Sequence, residues 1–185
     1  MLWYGFGRAK ESSEVFLVKT HKTPIDDQPA IYIVRDGRSA LCSLLEYQRG
    51  FAGNDPTAWL LKLICGQGFC GSWSEHYRRW HDGSLSPLLT VRYEELVTAD
   101  DQLLRTLAAF IGYEGAIAPW VNPFEQLKKL DPNRFREGRI EWSSHPSWNH
   151  TCETEFWRLH RKLMTELGYG SASITAEFSN SVWPN

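Results

Sequence analysis

The sequence predicts an α/β domain built on a parallel sheet, and three observations carry that expectation. Short apolar runs without polar alternation recur at residues 15–18 (VFLV), 30–34 (AIYIV) and 88–91 (LLTV). Such runs suit strands covered on both faces, as in parallel sheets. Amphipathic helical patterns lie between and after them. Basic or hydroxyl residues stand just past the end of each run, where parallel sheets bind ligands.

Each element follows in order. The first run leads into Lys19-Thr20-His21. The second leads into Arg35-Asp36-Gly37-Arg38-Ser39 and a helix expected over 39–48, with Leu41, Leu44 and Leu45 on one side. Trp73, Tyr77 and Trp80 recur at i, i+4 and i+7, a helical spacing. The third run is entered after Pro87 and leads into Arg92-Tyr93-Glu94-Glu95, whose acidic pair reads as a solvated strand end. Leu103, Leu104, Leu107, Phe110 and Ile111 form an amphipathic stripe that Gly112 can stop. A last helix is expected over 154–167, stopped by Gly168. The remainder, 170–185, is a polar tail expected to be loosely held. No repeat or linker interrupts the chain, so 1–185 is read as a single domain.

Composition narrows the function classes. The chain has 185 residues, 42% hydrophobic and 23% charged, a balance that excludes collagen, coiled coil and long disorder. Net charge is -2 and pI is about 6.3, which argues against a nucleic-acid-coating protein. An anionic ligand must therefore meet a local basic cluster. The nine tryptophans require a core or a ligand groove, and Phe51, Trp59, Phe69 and Trp142 are candidates to line one. No stretch approaches the roughly 18 apolar residues of a membrane span. Residues 1–15 lack the apolar core of a signal peptide. A cytoplasmic location, with no membrane or nucleic-acid partner, is the expectation. The cysteines at 42, 65, 70 and 152 are read as buried free thiols, and no metal is expected.

The strand-end segments carry the chemistry. A helix beginning near Ser39 offers free backbone N–H groups and its dipole to an anion. Arg35 can grip a phosphate with paired N–H donors. Ser43 lies one turn past Ser39 and reaches that phosphate only if the helix starts late. The alternative is that Arg35 pairs with Asp36 or Glu46 on a surface. Strand alternation would set Lys19 and His21 on one side, as a cation beside a proton acceptor. The alternative there is a surface turn without chemistry. Residues 134–139 (RFREGR) form a basic loop. His76, on the Trp73/Tyr77/Trp80 helix, reads as a hydrogen-bonded packing histidine, and Trp73 and Trp80 as core.

Taken together and in this order, these segments resemble the sulfotransferases that use 3′-phosphoadenosine 5′-phosphosulfate (PAPS). The resemblance runs from about residue 15 to residue 169. Lys19-Thr20-His21 is similar to the family's K-T-H segment, whose His is the general base. Arg35 followed by Ser43 is similar to the 3′-phosphate motif. Gly71-Ser72-Trp73 with His76 and Trp80 resembles the family's G-S-W-x-x-H-x-x-x-W helix. Tyr93 falls at the family's nucleotide-contacting Tyr, and Phe124 at the Phe beside the adenine. Arg136-Glu137-Gly138 resembles the loop that covers the 3′-phosphate.

The resemblance implies a P-loop-hydrolase-like parallel sheet flanked by helices. It implies sulfuryl transfer from PAPS to a small-molecule or carbohydrate hydroxyl, releasing adenosine 3′,5′-bisphosphate (PAP) without a metal. His21 would take the acceptor's proton and Lys19 would stabilise charge on the bridging oxygen. Arg35, Ser43, Tyr93, Arg136 and the backbone at Gly138 would hold the 3′-phosphate, and Phe124 would flank the adenine. Two departures stand out. No P-K-S-G-T-T-like 5′-phosphosulfate loop precedes Lys19, so the chain resembles a sulfotransferase lacking its first strand and phosphate loop. Glu137 also stands where the family has a cation. An inactive remnant that binds PAP without turnover is therefore the alternative. A P-loop kinase is disfavoured because no G-x-x-x-x-G-K-[ST] segment is present.

Overall fold

The computed structural model describes residues 18–21, 28–82, 87–132, 135, 138 and 140–170. Two of the expected strands, β1 (Ala30–Val34) and β2 (Leu88–Arg92), pair in parallel. The register runs from Ala30 opposite Leu88 to Val34 opposite Arg92. The long crossover between them forms α1 (Gly37–Tyr47), a 3-10 turn (Arg49–Phe51), α2 (Pro56–Ile64) and α3 (Trp73–His81). After β2 come α4 (Tyr93–Val97), α5 (Asp101–Phe110), α6 (Phe124–Leu130) and α7 (His150–Glu166). The strand expected over 15–18 lies outside the described residues apart from Val18, and residues 18–21 run as irregular chain. The tail 171–185 also lies outside them.

Capping chemistry sets the helix ends. Helix α1 starts at Gly37, not near Ser39. The cause is Asp36, whose Oδ1 accepts from the backbone N–H groups of Arg38 (2.8 Å) and Ser39 (3.4 Å). Helix α2 was not expected, although Asp55 caps it and Pro56 opens it. Ser72 and Glu75 form a reciprocal capping box on α3. Asn149 caps α7 four residues before the expected start, accepting from the N–H of Cys152 at 2.9 Å. Gly112 and Gly168, at φ +68 and +70, lie just beyond α5 and α7 as expected.

The core sits where α1, α2 and α7 meet. Leu41, Cys42 and Leu45 pack there with Leu60, Leu63, Ile64, Cys152, Phe156 and Met164. Trp59, Trp73, Trp142, Trp148 and Trp157 pack around that cluster. This is where much of the indole surface goes, and it takes Trp59 and Trp142 out of a ligand groove. Gly37 is needed at the first turn of α1. A Cβ there would lie 2.8 Å from the Trp73 ring and 2.9 Å from Phe156. Among the cysteines, Cys42 and Cys152 are buried, but Cys65 is exposed and Cys70 half-buried, which corrects the expectation of four buried thiols. No described helix is long and apolar enough to cross a membrane.

Candidate active site

The register of the sheet builds the first part of the site. Val34 is opposite Arg92, so the next residue of each strand, Arg35 and Tyr93, emerges from the same sheet end. There the Arg35 guanidinium lies over the Tyr93 ring, 4.4 Å from its centroid. Asp36 accepts a forked pair of bonds from Arg38 Nε (3.1 Å) and Nη2 (2.7 Å). Glu46 engages Arg49 and His145.

Arg38 is a residue that sequence reasoning passed over. Its guanidinium is buried, clamped on Asp36, and sits 5.2 Å from the Trp142 ring and 5.5 Å from the Trp157 ring. It also donates to the carbonyl of Tyr169 at 3.4 Å. Tyr169 in turn lies under Arg92 (4.5 Å) and donates its hydroxyl to Glu94 at 2.8 Å. Glu94 is therefore not the solvated strand end the sequence suggested. These bonds brace the sheet end from which Arg35 projects. They also occupy the backbone N–H groups of Arg38 and Ser39 with Asp36, so those groups do not face an incoming phosphate as first expected. The signal was legible: Asp directly before Gly-Arg-Ser is an N-cap pattern.

Ser43 lies on the helix that follows Arg35. It is exposed on α1, six residues beyond the first helical residue, about 9 Å along the axis. The late helix start on which its reach depended is not observed. Phe124 and Gly138 are brought together. Gly138 has φ +60, and a Cβ on it would lie 2.6 Å from the Phe124 ring, so backbone and ring are in direct contact. Lys128 Nζ lies 5.7 Å from that ring. Arg136, with Arg134, Glu137 and Arg139, lies outside the described residues.

Lys19 and His21 are both exposed on the irregular segment. The His21 imidazole stands edge-on to Phe69, with centroids 5.8 Å apart. Partial burial, then the Lys19 ammonium and His76, hold the His21 pKa below its ordinary value. The ring is thus neutral and able to accept a proton at neutral pH. Phe69 is largely exposed beside it, an apolar wall next to a base. Of the aromatic residues considered for an acceptor groove, Phe69 is the one placed at His21; the side chain of Phe51 lies outside the description.

One connection ties this segment to the sheet. The His76 ring on α3 meets the carbonyl of His21 through Nε2 (3.1 Å) and the hydroxyl of Tyr32 on β1 through Nδ1 (2.9 Å). His76 is a hydrogen-bonded histidine, as expected, and Trp80 on the same helix is buried. Tyr32 was missed. A half-buried phenol in the middle of an apolar run needs a hydroxyl partner, and that was the signal.

A family model for the sulfotransferase domain matches residues 5–167. The chain belongs to the sulfotransferase family. No curated protein matches it. Among solved structures it is similar to mouse sulfotransferase SULT7A1 complexed with PAP, with a TM-score of 0.54 at 20% identity. The match covers 76% of this chain and 62% of that structure. The likeness supports the fold, a parallel sheet with flanking helices. Among the described residues of this chain, no cluster of His, Cys, Asp and Glu is placed to hold a metal.

Proposed function

We propose that this sulfotransferase moves a sulfuryl group from PAPS to a hydroxyl acceptor. The observation that carries the reading is that one strand anchors both ends of the reaction. Arg35 closes β1 over Tyr93, and three residues earlier Tyr32 holds the backbone of His21 through His76. Three strand residues span about 10 Å, a separation that suits a phosphate grip at one end and a base at the other.

PAPS would supply the activated sulfuryl group. Arg35 would hold the 3′-phosphate with charge-assisted bonds, against the Tyr93 ring. Ser43 and Arg136 are assigned to the same phosphate by family resemblance. Phe124, packed on the Gly138 backbone, would flank the adenine. His21 would accept the acceptor's proton as its oxygen bonds to sulfur. The sulfur–oxygen bond to the 5′-phosphate breaks, and the electron pair leaves with PAP. Lys19 would offset charge gathering on that leaving oxygen. The exposed Phe69 beside His21 suits a small molecule with an apolar or aromatic body, such as a phenol.

The test is sulfate transfer from PAPS to a panel of phenols, alcohols and sugars, run with PAP titration by calorimetry. Transfer to a phenol with PAP binding is expected. PAP binding without any transfer would reduce the protein to a nucleotide-binding module. No binding of PAP would overturn the reading.

A further inference from the structure

The sheet, helix α3 and the segment bearing His21 meet at a single imidazole. Each partner of His76 constrains its proton. The carbonyl of His21 can only accept, so Nε2 must carry the hydrogen. Nδ1 is then free to accept the Tyr32 hydroxyl proton. The Tyr32 pKa is raised above the usual phenol range by burial, so its hydroxyl keeps that proton and remains a donor. The result is a directed chain: Tyr32 O–H to His76 Nδ1, and His76 Nε2–H to the His21 carbonyl.

The ring is also mechanically fixed. Its helix begins in a capping box, with Ser72 and Glu75 reciprocally bonded. Further along α3, His81 meets the Tyr77 carbonyl through Nδ1 (2.8 Å), which leaves Nε2 to accept from the Thr90 hydroxyl on β2 at 2.7 Å. On the opposite side of α3, Ser74 Oγ lies 2.7 Å from His160 Nδ1 on α7. The Tyr32 ring packs against Tyr77 (5.5 Å), Trp80 (6.0 Å) and His81 (5.2 Å), so the phenol that orients His76 is itself held. By contrast, residues 18–21 belong to no helix or strand and are exposed. A hydrogen bond to the carbonyl of His21 therefore falls where the backbone has least support of its own.

We propose that His76 is a positioning residue: with Tyr32 behind it, it fixes the backbone of His21 and so aims the His21 imidazole at the acceptor. This rests on the assignment of His21 as the base. His76 does not touch substrate or move the transferred proton. It acts by setting the peptide plane from which the base projects, and loss of that aim costs rate rather than nucleotide affinity.

The experiment compares His76→Leu, His76→Gln and Tyr32→Phe with the wild type. Gln is chosen because its amide N–H can reach the place of Nε2–H. His76→Leu is expected to lower kcat roughly 10- to 100-fold with PAP affinity unchanged. His76→Gln is expected to recover most of that loss, and Tyr32→Phe to fall between. Equal kcat in His76→Leu and wild type would overturn the proposal. So would a His76→Gln variant as slow as His76→Leu. Nitrogen-15 NMR of the histidine rings gives a readout independent of turnover. The wild type should show His76 as the Nε2–H tautomer, and Tyr32→Phe should shift the His21 ring signals. A His76 protonated on Nδ1 alone, or His21 signals unmoved by Tyr32→Phe, would sink the inference even in an active enzyme. A wild type that binds PAP but transfers nothing would overturn the functional reading instead, and the spectra would still decide the role of His76.

Discussion

His160 and His76 are each bonded at both ring nitrogens, and both bear on helix α3: His76 lies on it and His160 meets its Ser74. His160 is 1% exposed; it meets Ser74 Oγ at 2.7 Å and the carbonyl of Ile64 at 3.1 Å. His76 is half-buried and meets Tyr32 and the carbonyl of His21. Each uses one nitrogen on a hydroxyl and the other on a carbonyl. The difference lies in what the carbonyl belongs to. Ile64 ends a helix inside the core, whereas His21 sits on an exposed, irregular segment with a cation beside it. One device locks packing, and the same device at the sheet edge holds the backbone of the proposed base. Substitutions in the two regions should therefore separate cleanly, stability from the first and turnover from the second.

The largest separation is expected for His21→Ala. Removing a positioned base typically costs about 100- to 10,000-fold in rate. PAP affinity and the unfolding midpoint should stay near those of the wild type, because the ring is exposed and its principal described contact is the edge of Phe69. Steady-state kinetics and calorimetry on the same preparation check this. Unchanged turnover would remove His21 from the chemistry.

Next in size is Arg35→Ala, which acts on binding. A charge-assisted hydrogen bond contributes about 1.5–3 kcal/mol, so PAP affinity should fall roughly 10- to 100-fold. The Tyr93 ring loses its cation but keeps its place at the start of α4, so stability should move little. A PAP dissociation constant equal to that of the wild type would contradict the phosphate role. Arg38→Ala is the useful contrast. It strips a buried clamp from Asp36 and should destabilise the fold rather than weaken binding directly.

The same contrast explains what the sequence revealed. Strands β1 and β2 were legible from their continuous apolar runs, although among the described residues only Val34 and Val91 of the two strands are buried and Ile33 is exposed, so they are not covered on both faces as expected. The stripe of α5 and the glycine after it were legible for similar reasons. Helix α2 was not expected, although Asp55-Pro56 marks its start and Leu60, Leu63 and Ile64 recur at i, i+3 and i+4. Of the proposed site residues, Arg35 and Tyr93 could be named because strand ends in a parallel sheet point to them, whereas the strand expected before Lys19 and His21 lies outside the described residues apart from Val18. The supporting residues were harder. Asp36 and Arg38 read as surface charges until their mutual burial is known. Tyr32 reads as one more apolar strand residue. Its role depends on a partner 44 positions away, and no local pattern encodes that.

The smallest effect concerns His160 and pH, and it sharpens the comparison from the stability side. Burial holds the His160 pKa below its ordinary value of 6.5, with the bond to the Ile64 carbonyl opposing in part. In the unfolded chain the same ring takes up a proton near that ordinary value. As pH falls below about 6.5, the unfolded state therefore binds a proton that the folded state refuses. Stability is full above that pH and is lost as pH falls towards the depressed folded value. Denaturant unfolding followed from pH 7.5 to pH 5 should show this decline. His160→Gln cannot titrate, so it should lower stability at pH 7.5, through the disturbed Ser74 and Ile64 contacts, yet flatten the slope below pH 6.5. His76 is depressed in the same direction but less deeply placed, so His76→Gln should flatten the slope less. A His160→Gln variant with the full wild-type slope would assign the acid sensitivity elsewhere and break the parallel between the two histidines.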